Sequence, residues 1–315
     1  MDNKKKILIL GARGTVGITL GETLEKRGHS LIMADRGLFS APNYYKCDIA
    51  HYRQIERIFL EHEFEYVYNL AAEFGRWNGE QFYENLWMTN VIGFKNILRL
   101  QERFQFKLVH FSSSEVYGDY SGLMTEDVMD RFEVRQLNDY ALSKWVNELQ
   151  VMNSASMFGT KTVRVRLFNT YGPGEYYSPY RSAICIFCYS ALHNKPYTVY
   201  LGHRRTSTYV TDVCNTLANM ADNFRPGEVY NIGGTELHDM KTVSEIILRQ
   251  LGKNDALVTY REAEPFTTKD KVVFTTKDKV VDVSKAVRDL NHSPRIGLEE
   301  GIAATLKWMR QVYRV

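Results

Sequence analysis

A doubly wound α/β fold with a parallel sheet is predicted by two features of the sequence. Apolar runs of strand length alternate with helix-length segments through the first 170 residues, and a glycine-rich turn joins the first strand to the first helix. "KKILIL" has the continuous apolar character of a buried parallel strand, and "GTVGITLGETLEKRG" reads as the helix after it, closed by Gly28. "HSLIMAD" predicts a second strand, "HYRQIERIFLEHE" a helix and "FEYVYNLAA" a third strand. A longer helix through "NVIGFKNILRLQERF", the strand "FKLVHFSSS", a helix from about Asp139 to Met157 and the strand "KTVRVRLF" complete the series. Beyond "NTYGPG" the elements shorten and tyrosines become frequent, which places a boundary near Tyr171.

The turn "GARGTVG" (Gly11, Arg13, Gly14, Thr15, Val16, Gly17) carries the first functional signal. Gly11 permits a tight turn, Gly14 lets the backbone approach a pyrophosphate at a helix N-terminus, and Gly17 lets helix and strand pack closely. Asp35 ends the second strand, where a carboxylate can take both hydroxyls of an adenosine ribose. That carboxylate disfavours a 2′-phosphate and argues for NAD over NADP; Arg13 and Arg36 argue the other way, because either can pair with the phosphate. The expectation is a Rossmann-type NAD-binding domain over residues 1–170. Residues 171–315 are expected to form a smaller α/β substrate-binding domain with segments that cross back to the first.

Composition narrows the class. A net charge of +3 on 315 residues, with no basic stripe beyond "NKKK", gives no reason to expect nucleic acid as a partner. The apolar run "ILIL" stops at Gly11, so neither a signal peptide nor a membrane span is predicted, and a cytoplasmic protein without a membrane partner is expected. Cys185 and Cys188 form a C-x-x-C within "SAICIFCYSAL", with no second such pair; they read as helix packing, and no metal site is expected. "FTTKDKVV" occurs at 266–273 and again, unchanged, at 274–281. Eight residues are too short for a repeat architecture, so this reads as a local duplication enlarging a loop or hairpin, with no function assigned.

The catalytic signal is "NDYALSKW". Tyr140 and Lys144 stand four apart and share one face of a helix. A phenol, with a usual pKa of about 10, is a poor base. A neighbouring ammonium and the positive ring of an oxidised nicotinamide are expected to lower that value, so that the phenolate can take a hydroxyl proton.

These motifs, with "KCDIAH", "YVYNLAA", "TNVIGFKNIL", "SSSEVYGD", "RLFNTYGPG", "RRTSTYVTDV" and "GEVYNIGG", resemble those of extended short-chain dehydrogenases/reductases of the nucleotide-sugar epimerase/dehydratase family. The resemblance implies that Asp48 and Ile49 contact adenine, that Leu70, Ala71 and Ala72 line the cofactor, and that Asn90 supports that site. It also implies that Asn169 and Arg205 hold a substrate diphosphate, and that the protein is a homodimer using the helix of Tyr140. Anchored on "VYG", the proton-handling hydroxyl is Ser113. Glu115 falls where several dehydratases and uronate decarboxylases carry glutamate, whereas Ser114 replaces the aspartic acid of glucose-type dehydratases. Ser114, Arg76 and Arg181 are candidate substrate contacts. The expected reaction is transient oxidation at C4 of a nucleoside-diphosphate sugar, then glutamate-assisted dehydration or decarboxylation. The alternatives are 4-epimerisation, net oxidoreduction and a non-catalytic NAD-binding role.

Overall fold

The computed structural model describes residues 4–262, 267–268, 271–272, 276 and 278–315. The first strands and helices are β1 (Lys6–Leu10), α1 (Thr15–Lys26), β2 (Ser30–Asp35), β3 (Tyr44–Lys46), α2 (Tyr52–Glu61) and β4 (Tyr66–Asn69). The short helices α3 (Arg76–Gln81) and α4 (Tyr83–Trp87) then run through a π turn (Met88–Gly93) into α5 (Phe94–Phe104). β5 (Lys107–Ser113), a 3₁₀ turn (Ser114–Tyr117), α6 (Val128–Arg131), α7 (Asp139–Phe158) and β6 (Thr162–Leu167) follow. The second part holds β7 (Thr170–Tyr171), α8 (Ala183–Leu192), β8 (Tyr197–Tyr200), β9 (Arg204–Thr206), β10 (Thr208–Tyr209), α9 (Val210–Asn219) and β11 (Val229–Ile232). It continues with β12 (Leu237–Asp239), α10 (Met240–Leu251), β13 (Val258–Arg261), β14 (Thr267–Thr268), β15 (Lys271–Val272), β16 (Asp278–Lys279), α11 (Ser284–Leu290) and α12 (Leu298–Tyr313).

One parallel sheet organises these elements, in the order β11-β6-β5-β4-β1-β2-β3. Its central strands are apolar on both faces because both faces are covered: Ile7, Leu8, Ile9 and Leu10 of β1 are all at most 1% exposed. On one face Ile7 and Ile9 pack with residues of α1 and α9; on the other Leu8 and Leu10 pack with residues of α2 and α5. The sequence after Tyr171 returns to this sheet, since α9 lies on α1 and β11 pairs with β6. β3 is an edge strand that no apolar pattern announced; Met33, Ala34 and Asp35 pair with Tyr44, Tyr45 and Lys46.

A separate apolar core holds α8, α10 and α12 together and contains Cys185 and Cys188, both fully buried. Burial pushes both thiols far above the usual range, so they pack as small hydrophobes. The tyrosine-rich segment supplies this core as well. Tyr171 and Tyr197 are buried in it, and Tyr177 stacks on Tyr189 with ring centres 3.8 Å apart. Small sheets complete the second part: β8 with β13, and β9 between β12 and β16. Among the described residues, no helix is long and apolar enough to cross a membrane.

Candidate active site

The carboxyl ends of β1, β2, β4, β5 and β6 open onto a cavity of about 870 Å³, closed from the other side by the second part of the chain. This is where an open parallel sheet binds ligands.

At one end of the cavity the first turn is shaped by contact. Gly11 has φ +79°, and a Cβ there would lie 2.6 Å from the Ala71 nitrogen. A Cβ on Gly17 would meet the Gly11 carbonyl at 2.4 Å. Gly14 is different: a Cβ there would make only an ordinary 3.4 Å contact with the Gly11 carbonyl, and the residue lines the cavity at the start of α1, where no side chain caps the helix. Arg13, Thr15 and Val16 line the cavity beside it, and the Thr15 hydroxyl donates to the Gly174 carbonyl, tying this turn to "TYGPG". Asp35 is aimed by two backbone donors, Arg13 N–H (2.9 Å) and Gly37 N–H (3.2 Å). The two arginines that argued for NADP are engaged elsewhere: Arg36 pairs with Glu73 at 2.5 Å, and Arg13 lies over the Phe39 ring. Asp48, Ile49, Leu70, Ala71 and Ala72 line the same wall. A glycine cradle, an exposed helix N-terminus and an aimed carboxylate fit a dinucleotide with a free ribose 2′-hydroxyl.

Asn90 supports the cavity wall from behind. It is buried behind the wall, in the π turn, a rare geometry that is frequent near functional sites. Its side chain accepts from Glu73 N–H and donates to the Glu73 carbonyl and to Ser143 on α7. It braces the loop after β4 against α7 rather than facing the cavity.

The three serines of "HFSSSEVYG" diverge. Ser112, on the cavity wall, donates to Glu148, which forms a buried bidentate pair with Arg166. Arg166 in turn donates to the Tyr117 hydroxyl, and Tyr117 donates to Asn231. Ser113 shares a hydrogen bond with Tyr140 and accepts from Glu115 N–H. Ser114 lines the cavity beside Glu115. Tyr140 and Lys144 share the wall on α7, whose start is capped by the Asn138 side chain.

In the chain by itself, burial dominates the Tyr140 phenol. It pushes the phenol up to about 12 against the hydrogen bond from Ser113, and the Glu115 charge pushes the same way. Lys144 donates to the Phe111 carbonyl at 2.9 Å, with its ammonium 5.8 Å from the centre of the Tyr140 ring. Burial pulls Lys144 down to about 8. At neutral pH the chain alone therefore holds a protonated phenol beside an ammonium.

The family is decided by comparison. Residues 7–233 match the model of the NAD dependent epimerase/dehydratase family. The chain belongs to that family. Across 98% of its length it is 28% identical to a UDP-N-acetyl-alpha-D-glucosaminuronate decarboxylase of Bacillus cytotoxicus, covering 99% of that protein. It is also 28% identical to a UDP-glucuronate 4-epimerase of Thermodesulfobacterium geofontis, over 96% of each chain. Among solved structures, the epimerase Mth375 of Methanothermobacter thermautotrophicus superimposes with a TM-score of 0.88 at 26% identity, over 99% of this chain and 94% of that one.

In this family member, the wall facing the cofactor end is cationic. Asn169, held at φ +37° and donating to the Thr206 carbonyl, lines it together with Arg76, Arg181 and Arg205. Arg181 lies over the Phe74 ring at 3.9 Å. Sequence reasoning missed one cation, Lys279 in the second copy of "FTTKDKVV". Its ammonium lies 2.5 Å from Glu115 Oε1, directly behind the cavity wall. Burial by itself would raise Glu115, but Lys279 and then Arg76 outweigh it and hold the carboxyl down at about 2. Burial pulls Lys279 down to about 8, so at neutral pH both partners are charged. Nothing in the octapeptide alone signals this contact, because only the fold brings residue 279 to residue 115.

Proposed function

We propose that this NAD-dependent enzyme decarboxylates a nucleoside-diphosphate hexuronate through transient oxidation at C4 of the sugar. The observation that carries the reading is the charge state of the substrate wall. Glu115 is an ionised carboxylate among Lys279, Arg76 and Arg205. Dehydration needs an acid for the departing hydroxyl; a carboxyl held at about 2 cannot serve, and the residue before it is Ser114. Loss of carbon dioxide needs no such acid, and arginines suit a sugar that carries a carboxylate besides its diphosphate.

Gly11, Gly14, Gly17, Asp35, Asp48, Ile49 and the backbone of Leu70 to Ala72 would hold NAD, which when bound supplies reversible oxidation at C4. Ser113 and Tyr140 handle the proton of the C4 hydroxyl, and Lys144 supplies fixed positive charge beneath them. Asn169 and Arg205 take the diphosphate, Arg181 the sugar-phosphate region, and Arg76 orients the sugar carboxylate. Once C4 is a carbonyl, the C5–C6 bond breaks and its electron pair moves to the C4 oxygen, where Ser113 and Tyr140 stabilise the charge. Carbon dioxide leaves, and C5 takes a proton from solvent.

Mass spectrometry after incubation with UDP-, GDP-, dTDP- and CDP-sugars, uronates included, tests this. Loss of carbon dioxide from a uronate is the expected result. A uronate product of unchanged mass but inverted C4 means 4-epimerisation, and loss of water means dehydration; either overturns the reading. Tyr140→Phe should lower turnover by about 10²- to 10⁴-fold while leaving NAD binding in place. Unchanged turnover would remove Tyr140 from the chemistry.

We also infer a cytoplasmic homodimer. Leu142, Leu149 and Met152 on α7 and Ile92 of the π turn are exposed apolar residues, suited to the same helices of a second copy. Light scattering at a mass near 36.5 kDa rather than twice that would overturn the dimer.

A further inference from the structure

Two described residues of the second octapeptide copy, Asp278 and Lys279, meet the site through one short strand. They form β16, parallel to β9, with Asp278 opposite Arg204 and Lys279 opposite Arg205. Side chains alternate across a strand, so the two residues face opposite ways. Asp278 takes the outer position and accepts both Nε (3.0 Å) and Nη2 (2.6 Å) of Arg204. Lys279 takes the inner position, 2% exposed, on Glu115. The residues after β16 are fixed as well: Met124 N–H donates to the Val280 carbonyl, and Asp282 N–H to the Met124 carbonyl. Asn231, at the end of the network running from Glu148 through Arg166 and Tyr117, donates to both the Met124 and Asp282 carbonyls. One hydrogen-bonded frame therefore holds the 3₁₀ turn of Glu115 and the strand of Lys279.

We propose that Lys279 is a positioning residue which keeps Glu115 charged and aimed at the substrate wall, and that the second octapeptide copy is the carrier of that lysine. The inference rests on Glu115 belonging to the substrate wall of the reaction proposed above. Among the described residues, Glu115 is faced by Lys279 from β16, Arg76 from α3, Arg205 from β9 and the Tyr140 phenol from α7. Of these, Lys279 contacts its carboxylate with a hydrogen bond and exerts the largest of the opposing charges. A buried carboxylate deprived of its partner takes up a proton more readily.

The test uses NAD-loaded enzyme with Lys279→Met and Lys279→Arg. Glutamate side-chain carboxyls labelled with ¹³C are titrated by NMR, and the Glu115 signal is assigned from its absence in Glu115→Gln. Lys279→Met should raise the Glu115 midpoint by about one pH unit or more, a tenfold change in proton affinity, and Lys279→Arg should restore it. The acid limb of kcat against UDP-glucuronate should move by the same amount. A folded Lys279→Met enzyme with unchanged midpoint and unchanged acid limb overturns the proposal. If that variant does not fold, Lys279→Gln replaces it under the same criteria. Failure of wild-type enzyme to turn over any uronate counts against the proposed reaction, while the NMR titration still decides the role of Lys279.

Discussion

The two sides of the cavity are built on different principles. The cofactor side runs from Gly11 to Asp35 within one β-α-β unit, and its determinants are backbone: a turn, a helix N-terminus and strand ends. The substrate side draws Arg76, Glu115, Arg181, Arg205 and Lys279 from five separate segments. Its determinants are charged side chains, Lys279 buried and the others partly exposed, and Glu115 is held ionised by Lys279, Arg76 and Arg205. Backbone geometry is sensitive at its glycines, where a Cβ would meet neighbouring backbone, whereas on the substrate wall a change at one charge is felt by its neighbours.

The seam between the two sides should be the most fragile point. Arg166 and Glu148 are at most 2% exposed and join β6 to α7 directly behind Ser112. Removing Arg166 leaves a buried carboxylate with the Ser112 hydroxyl at 2.6 Å and, as its remaining cation, Arg164 at 3.4 Å. Arg166→Met should lower unfolding free energy by about 3 kcal/mol or more in urea denaturation. Adding Glu148→Met should recover most of that loss, because the pair's attraction is set against the desolvation of both charges. If the double variant stays as unstable as the single, the network supplies packing rather than charge balance.

This contrast also explains what was legible in the sequence. Strands β1, β2, β4 and β5 are largely apolar runs closed by glycine or polar residues, and β6 alternates valine with arginine, so their period and order could be read directly. Gly11, Gly14, Gly17 and Asp35 carry fixed spacing, and they meet in the structure because few residues intervene. Tyr140 and Lys144 were identifiable as a helical pair, but not their protonation: burial, invisible in a four-residue spacing, raises one and lowers the other. Asn90 lies on the expected segment, and the π turn directs it to Glu73 and Ser143, contacts that the sequence does not name. Lys279 lay hidden because its two-residue strand has no period, and because a duplicated polar segment resembles loop filler.

A smaller effect probes the cofactor side. Asp35→Ala should weaken NAD binding by about 10- to 100-fold, the range for hydrogen bonds to a charged group, and should narrow the preference over NADP. Fluorescence titration with both nucleotides measures it. Arg36 is part of the expectation, since its pairing with Glu73 keeps it from a 2′-phosphate. NAD affinity unchanged in Asp35→Ala would mean that the ribose lies elsewhere.

The smallest effect is expected where the sequence looks most unusual. Deleting residues 266–273 or 274–281 yields the same chain with a single "FTTKDKVV". Arg261 pairs with Tyr200 and Asp278 with Arg204. About 5 Å across each pairing, plus at most about 15 Å along the chain from Tyr200 to Arg204, puts the two strand ends within roughly 25 Å. The eight residues left between them would reach about 30 Å. The remaining copy can therefore still set its aspartate on Arg204 and its lysine on Glu115. Halving this linker changes its closure cost by only about 0.6 kcal/mol, so thermal stability and kcat/KM should stay within about threefold of wild type in equilibrium terms. A collapse of activity in the deletion, with the fold intact by circular dichroism, would show that both copies are needed to place one lysine.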